Sequence, residues 1–256
     1  MKKFLIITCL FLFLFPEIKA QSAIEIVDNS QSSIDMESME MLSTLKIIDA
    51  KGRERIRQVS TASRKFGKTS KRLIKFTAPA DVQGTAMLIF DNEDSNDDMW
   101  IYMPALRKTR RIVSTEKGKS FMGSEFTNAD MSKPDKNQFD YKMLGSTTIE
   151  GKDCHKIEMS CKNQAIAQEN GYHKKIMYIE KGTFLTHKME FFDKDGKLQR
   201  TQILKDYKKQ SSGKYFSFYM EMKNEQNGRK SIMITDKFQI GSNLPESNFT
   251  PAMLEK

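Results

Sequence analysis

The stretch DMWIYMPALRKTRRI, residues 98–112, decides how this chain folds. As an extended backbone it sends Trp100 and Tyr102 to one face and Met99, Ile101 and Met103 to the other. Both faces of this strand therefore meet apolar material, which a sheet with one solvated face does not require. Pro104 removes a ladder donor, and Arg107, Lys108, Arg110 and Arg111 make the continuation abruptly cationic. If the strand persists past Pro104, Arg107 and Arg111 share a face. The segment SFMGSEFTNADM, residues 120–131, follows almost at once. Together these features read as the rim of an apolar site.

Working outward, the second half of the chain is punctuated by Gly151, Gly182, Gly196, Gly213, Gly228 and Gly241, each near polar turn formers. Such spacing predicts an antiparallel meander, and Asn227-Gly228 predicts a tight type I′ hairpin. Between the turns, alternation defines half-buried strands: Ile157, Met159 and Cys161; Leu185, His187, Met189 and Phe191; then Phe216, Phe218, Met220 and Met222. The first half repeats the theme with Met39, Met41, Leu45 and Ile47, a turn at 49–52, and a return strand carrying Arg53, Arg55 and Arg57. Leu73 to Phe76 and Met87 to Phe90 are further strands, and the acidic stretch 91–98 is a hairpin tip. Helix is sparse: a short one before about residue 33 with Ala23, Ile24 and Val27 on one face, and a turn or two at 127–133. The predicted fold is mainly β, a large curved antiparallel sheet of about ten strands forming an incomplete barrel. A short N-terminal helix and a helical or loop lid cross its hydrophobic concave face.

Residues 1–20 read as a secretory signal peptide, with Lys2 and Lys3 at the front, an apolar run from Phe4 to Phe15, Pro16 as a breaker and cleavage near Ala20. The run has 12 residues, too few for a spanning helix, which needs about 18 or more. Residues 21–256 then form one domain, since no proline- or serine-rich linker interrupts the pattern. Net charge is +9, and losing Lys2, Lys3, Lys19 and Glu17 leaves a clear positive excess. Beyond a secretory signal, that excess points to anionic lipid head groups or an acidic protein surface and away from nucleic acid. On one continuous strand Cys154 and Cys161 would be about 23 Å apart, against a bridging limit near 7 Å, so they are expected unbonded to each other and on opposite faces.

Several chemistries lack support. The Gly-Lys-Ser at 118–120 has Val113 where a phosphate loop requires glycine. The acidic stretch 91–98 has Asn96 where a calcium loop needs its turn glycine, and no closing glutamate. His155, His173 and His187 with the two cysteines match no zinc spacing. No serine stands in a nucleophile elbow. Neither an enzyme nor a resident metal or cofactor is expected.

The two opening segments, with KFTAPADVQGTAMLIFD at 75–91 and EFFDKDGKL at 190–198, resemble the LolA-like outer-membrane lipoprotein-sorting proteins. In that family a tryptophan-tyrosine-proline strand leads into a basic segment and then a phenylalanine-methionine-glycine loop closing on phenylalanine and threonine. The resemblance implies a periplasmic carrier, a monomer, that holds lipoprotein acyl chains or another lipid in a hydrophobic cavity. It would ferry them from an inner-membrane transporter to an outer-membrane acceptor, touching membrane surfaces transiently. The alternative is a lipid-binding sensor or accessory subunit of an envelope complex that transports nothing. Composition by itself, with 17 methionines, favours a packed core using methionine as gap filler, and the resemblance reverses that preference. Candidate cavity and rim residues are Met87, Ile89, Trp100, Tyr102, Leu106, Phe121, Met122 and Phe126, with the lid at 114–131, in which Gly118 and Gly123 flank Phe121 and Met122. Which face of the 98–103 strand is concave stays open. Arg107 and Arg111 are candidates for partner docking, and a solvated strand end reads as well.

Overall fold

The computed structural model describes residues 21–93 and 95–255; the expected signal peptide, residues 1–20, lies outside the described residues. Thirteen strands form one antiparallel sheet: β1 (Ser38–Ile48), β2 (Glu54–Phe66), β3 (Thr69–Ala78), β4 (Ala86–Asn92), β5 (Asp98–Met103), β6 (Lys108–Arg111), β7 (Phe139–Ile149), β8 (Lys152–Cys161), β9 (Lys174–Glu180), β10 (Thr186–Phe192), β11 (Leu198–Lys209), β12 (Tyr215–Asn224) and β13 (Lys230–Ile240). Their order is β6-β5-β4-β3-β2-β1-β13-β12-β11-β10-β9-β8-β7. Two meanders are thus joined where β1 pairs with β13, and β6 and β7 remain as free edges, so the barrel does not close. The sheet is nonetheless bent. One buried cluster holds Met99 of β5 together with Phe139 of β7 and Ile157 of β8, from opposite ends of the strand order, which a flat sheet could not bring together.

Alternation assigns the faces. On the concave side lie Leu45 and Ile47, Val59, Ile74 and Phe76, Met87 and Ile89, Met99 and Ile101, Met177 and Ile179, Met222 and Met233, all buried in that one cluster. The convex side carries Leu88, Phe90, Trp100 and Tyr102, covered by the C-terminal segment through Leu244, Phe249 and Leu254. Both faces of β5 are therefore clad, as its sequence requires. Cys154 packs on the convex side and Cys161 against the concave core, and both thiols are free.

Helix α1 (Ala23–Ile34) starts with a capping box, the Ser22 hydroxyl accepting from the Glu25 N–H and the Glu25 carboxylate accepting from the Ser22 N–H. It buries Ile26, Val27 and Ser30 and leaves Ile24 exposed, which corrects the expected stripe: Ala23, Ile26, Val27 and Ser30 follow the i, i+3, i+4, i+7 helical face and Ile24 does not. The Asn-Gly turn also differs from expectation. β12 ends at Asn224 and β13 begins at Lys230, the Asn224 N–H donates to the Arg229 carbonyl (2.8 Å), and of the pair only Gly228 takes positive φ. That is a longer loop than a two-residue type I′ turn, whose central residues both need positive φ.

Candidate functional site

Past β6 the chain leaves the edge of the sheet and crosses the concave face from Ile112 to Gln138, passing through the short helix α2 (Ser114–Lys117). It is pinned at its start by two backbones in contact: a β-carbon on Gly118 would fall 2.5 Å from the Gln168 carbonyl of α3 (Gln164–Asn170). Gly118 is thus a packing glycine, whereas Gly123, at φ 75°, turns the loop. A tight lap follows, in which the Phe121 N–H donates to the Phe126 carbonyl (2.8 Å) and both rings are buried. Phe121 meets Phe76 of β3 with ring centroids 5.6 Å apart. Between the two phenylalanines Met122 sits at φ 51°, a left-handed conformation costing an L-residue roughly 1–2 kcal/mol.

What holds this crossing segment to the sheet is a set of arginines aimed at its carbonyls. Arg57 on β2 donates to the Met122 carbonyl and Arg72 on β3 to the Met131 carbonyl. Arg200 on β11 donates to the Glu125 carbonyl (3.1 Å) and ion-pairs with Asp130 (2.8 Å), and Arg229 donates to the Gly123 carbonyl (3.1 Å). The Glu125 N–H in turn donates to the Ser231 hydroxyl (2.9 Å). Burial pushes the Arg57 guanidinium below its usual range, so its attachment to a carbonyl opposes a desolvation cost. Lys175 of β9 is buried on the same side beside the Tyr172 and Phe191 rings, where burial pushes it down to about 8. None of these cations was a candidate from sequence. The signal was available, because Arg57 occupies a core-facing parity with Val59 and Thr61, where an unpaired charge would be expensive.

The candidate cavity residues separate into three groups. Met87 and Ile89 lie opposite Ile101 and Met99 in register, fully buried on the concave face, and Phe121, Phe126 and the half-buried Met122 pack onto that core from the crossing segment. Trp100 and Tyr102 are on the other face, with Trp100 edge-on to Phe90 (5.0 Å) under the C-terminal segment. A period of two forbids one cavity from containing both sets. Leu106 stands 63% exposed in the turn between β5 and β6. That turn also corrects the basic run: Pro104 opens a 3-10 turn, Arg107 closes it at φ 46°, and β6 doubles back along β5. Arg107 and Arg111 consequently lie at opposite ends of a short edge strand, and Arg111 is already paired with Asp98.

At the end of the sheet away from the Gly123 lap the concave face is less covered. Phe216 and Phe218, two apart on β12, share the face of Met220 and the fully buried Met222, and they gather Phe238 of β13, which stacks on Phe216 at 4.0 Å and meets Phe218 edge-on at 5.7 Å. All three rings are half-buried. Met41, opposite Phe238 in register, extends the shelf. The C-terminal half of α1 spans nearby turns, with Ser33 donating to the Thr183 carbonyl (3.1 Å) and Ser32 accepting from Lys214 (2.7 Å). Sequence alternation had already put Phe216, Phe218, Met220 and Met222 on one face; it gave no sign that burial declines toward Phe216.

A family profile described as an uncharacterized protein matches residues 68–256. No curated protein matches the chain. Among solved structures the chain is similar to an assigned outer membrane lipoprotein-sorting protein domain from Vibrio parahaemolyticus, with 26% identity, TM-score 0.84, and 91% of this chain and 98% of that one covered. It is similar to a DUF1329 family protein from Desulfovibrio piger, with 25% identity, TM-score 0.83, and 91% and 97% covered. A LolA superfamily protein from Nitrosomonas europaea shares the fold, with 18% identity, TM-score 0.70, and 90% and 98% covered.

Proposed function

We propose, for a chain that belongs to the LolA-like outer-membrane lipoprotein-sorting proteins, that its concave face takes up the acyl chains of a lipoprotein or another lipid. The protein then acts as a periplasmic carrier rather than an enzyme, accepting cargo from an inner-membrane transporter and passing it to an outer-membrane acceptor. The observation that carries this reading is the trio Phe216, Phe218 and Phe238, half-buried on the concave face and continuous through Met220 with the buried core. Three clustered aromatic rings left partly in water are an unusual cost for a surface with no occupant.

Uptake and release follow from how the concave face is filled. Hydrocarbon gains about 0.8 kcal/mol per CH₂ on leaving water. In the described conformation, however, Phe121 and Phe126 already occupy the deep end. A chain penetrating beyond Met220 must displace them, so part of its transfer free energy goes into opening the segment. On release the same two rings return, and the vacated surface is never fully hydrated. Exchange between the protein's own apolar groups and the cargo's keeps affinity moderate, as delivery demands. Methionines at positions 220, 222 and 233 suit the exchange because unbranched thioethers repack around variable shapes.

The test is to purify the protein from its native envelope and identify bound lipid by mass spectrometry, then measure lipid transfer between donor and acceptor membranes. Bound lipid with transfer supports a carrier. Recovery of a lipid-free protein that takes up no lipid overturns the proposal.

A further inference from the structure

We infer that the cargo carries an anionic head group, read by Lys208 at the open end of the phenylalanine shelf; this rests on the lipid-binding function proposed above. The direction of a bound chain is set by burial. Along β12 the apolar residues run from half-buried Phe216 through Phe218 and Met220 to the fully buried Met222, six steps along the strand or about 20 Å. A polar head cannot go to the Met222 end without losing its hydration, so it stays beside Phe216.

Lys208 lies opposite Phe216 in register, and its Nζ stands 4.2 Å from the centroid of the Phe218 ring. Among the described residues it has no carboxylate partner. Other lysines of the sheet do: Lys205 pairs with Glu150 (2.6 Å), Lys188 with Glu190 (2.6 Å), Lys223 with Glu225 (2.6 Å) and Lys174 with Glu158 (2.7 Å), while Lys209, next along β11, lies instead over the Tyr215 ring. Lys214, in the adjacent turn, donates a hydrogen bond to the Ser32 carbonyl (2.7 Å) instead of to a carboxylate. The nearest carboxylate in sequence is Asp206, exposed at a left-handed position of β11, and on β13 Asp236 accepts from the Thr44 hydroxyl (2.8 Å). The end of the shelf thus presents an ammonium seated on an aromatic ring with its remaining donors free, above an apolar track. A carboxylate or phosphate on a hydrocarbon chain complements that arrangement; a neutral head leaves the charge unanswered, and a cationic head is repelled.

The experiment uses the delipidated full chain loaded with the neutral probe N-phenyl-1-naphthylamine, displaced by oleate, oleyl phosphate or oleyl alcohol. Oleate or oleyl phosphate should displace the probe at a concentration at least about tenfold below that of oleyl alcohol, a preference weakened by added salt. The better of the two anions identifies the head group. Lys208→Met keeps the apolar stem and should erase the preference by weakening the anions while leaving oleyl alcohol unchanged. Equal displacement by all three in the wild type, or an intact preference in Lys208→Met, overturns the inference while leaving lipid binding standing. Failure of the probe and all three ligands to bind removes the lipid-binding function and this inference together.

Discussion

Replacing Phe121 with alanine separates a lid from a piece of core. The ring is wholly buried and leans on Phe76 at 5.6 Å, and truncating such a side chain costs about 3–5 kcal/mol. Where that cost falls is the question. If residues 112–138 detach from the sheet as a unit, the loss is confined to closure, and the open fraction rises by about two to three and a half orders of magnitude. Native-state hydrogen exchange reads this directly. The amides of Phe121, Ser124 and Asn128, which donate to Phe126, Phe121 and Lys119, should exchange faster by that factor while β12 amides keep their protection. Fluorescence of an apolar dye should rise with little change in melting temperature. Should the segment instead be ordinary core, the same cost appears as a drop of roughly 6–20 °C in melting temperature. Lid amides exchanging only with global unfolding would refute the reasoning.

Arg57→Met should also favour the open segment, because it removes a charge-assisted bond worth about 1.5–3 kcal/mol and strands the Met122 carbonyl; exchange at Met122 and Gly123 unchanged from wild type contradicts it. Trp100→Ala should lower stability by about 2–4 kcal/mol in urea titration yet leave lipid uptake intact, since the ring faces the C-terminal segment; lost uptake with retained stability would put that residue back in the site. Asp97 is pushed up to about 6, first by burial and then by Asp91, against the opposing Asn92 N–H. A carboxyl raised in the folded state stabilises fully below its unfolded value, near 3.9, and loses that contribution as pH rises through about 6. The melting temperature should therefore climb as pH falls from 7.5 toward 5, and Asp97→Asn should flatten the climb; an identical profile in the variant contradicts the assignment.

Much of the sheet was legible because its signal is local. Alternation in β1, β8, β10 and β12, with turn glycines between, fixes strands and their core faces, and the two apolar faces of β5 announce covering on both sides. The 3-10 turn at Pro104 misled the reading of the basic run because a proline ends a ladder without saying where the chain goes next. The choice of face for Trp100 was also out of reach, since β5 looks alike from either side until the C-terminal segment is placed against it. The arginines on the lid carbonyls depend on pairings up to 106 residues apart in sequence, as for Arg229 and Gly123, and no period reports those. Likewise the half-buried state of Phe216 reflects what fails to cover it, which is a property of the whole fold.

The central claim is that hydrocarbon enters along β12 on the concave face. Methyl-labelled methionine spectra recorded with a nitroxide-bearing stearate test it in place. Met41, Met220, Met222 and Met233 should broaden, while Met253, in the C-terminal segment on the convex side, stays sharp. Broadening of Met253 alone, or of none of the five, would contradict the account.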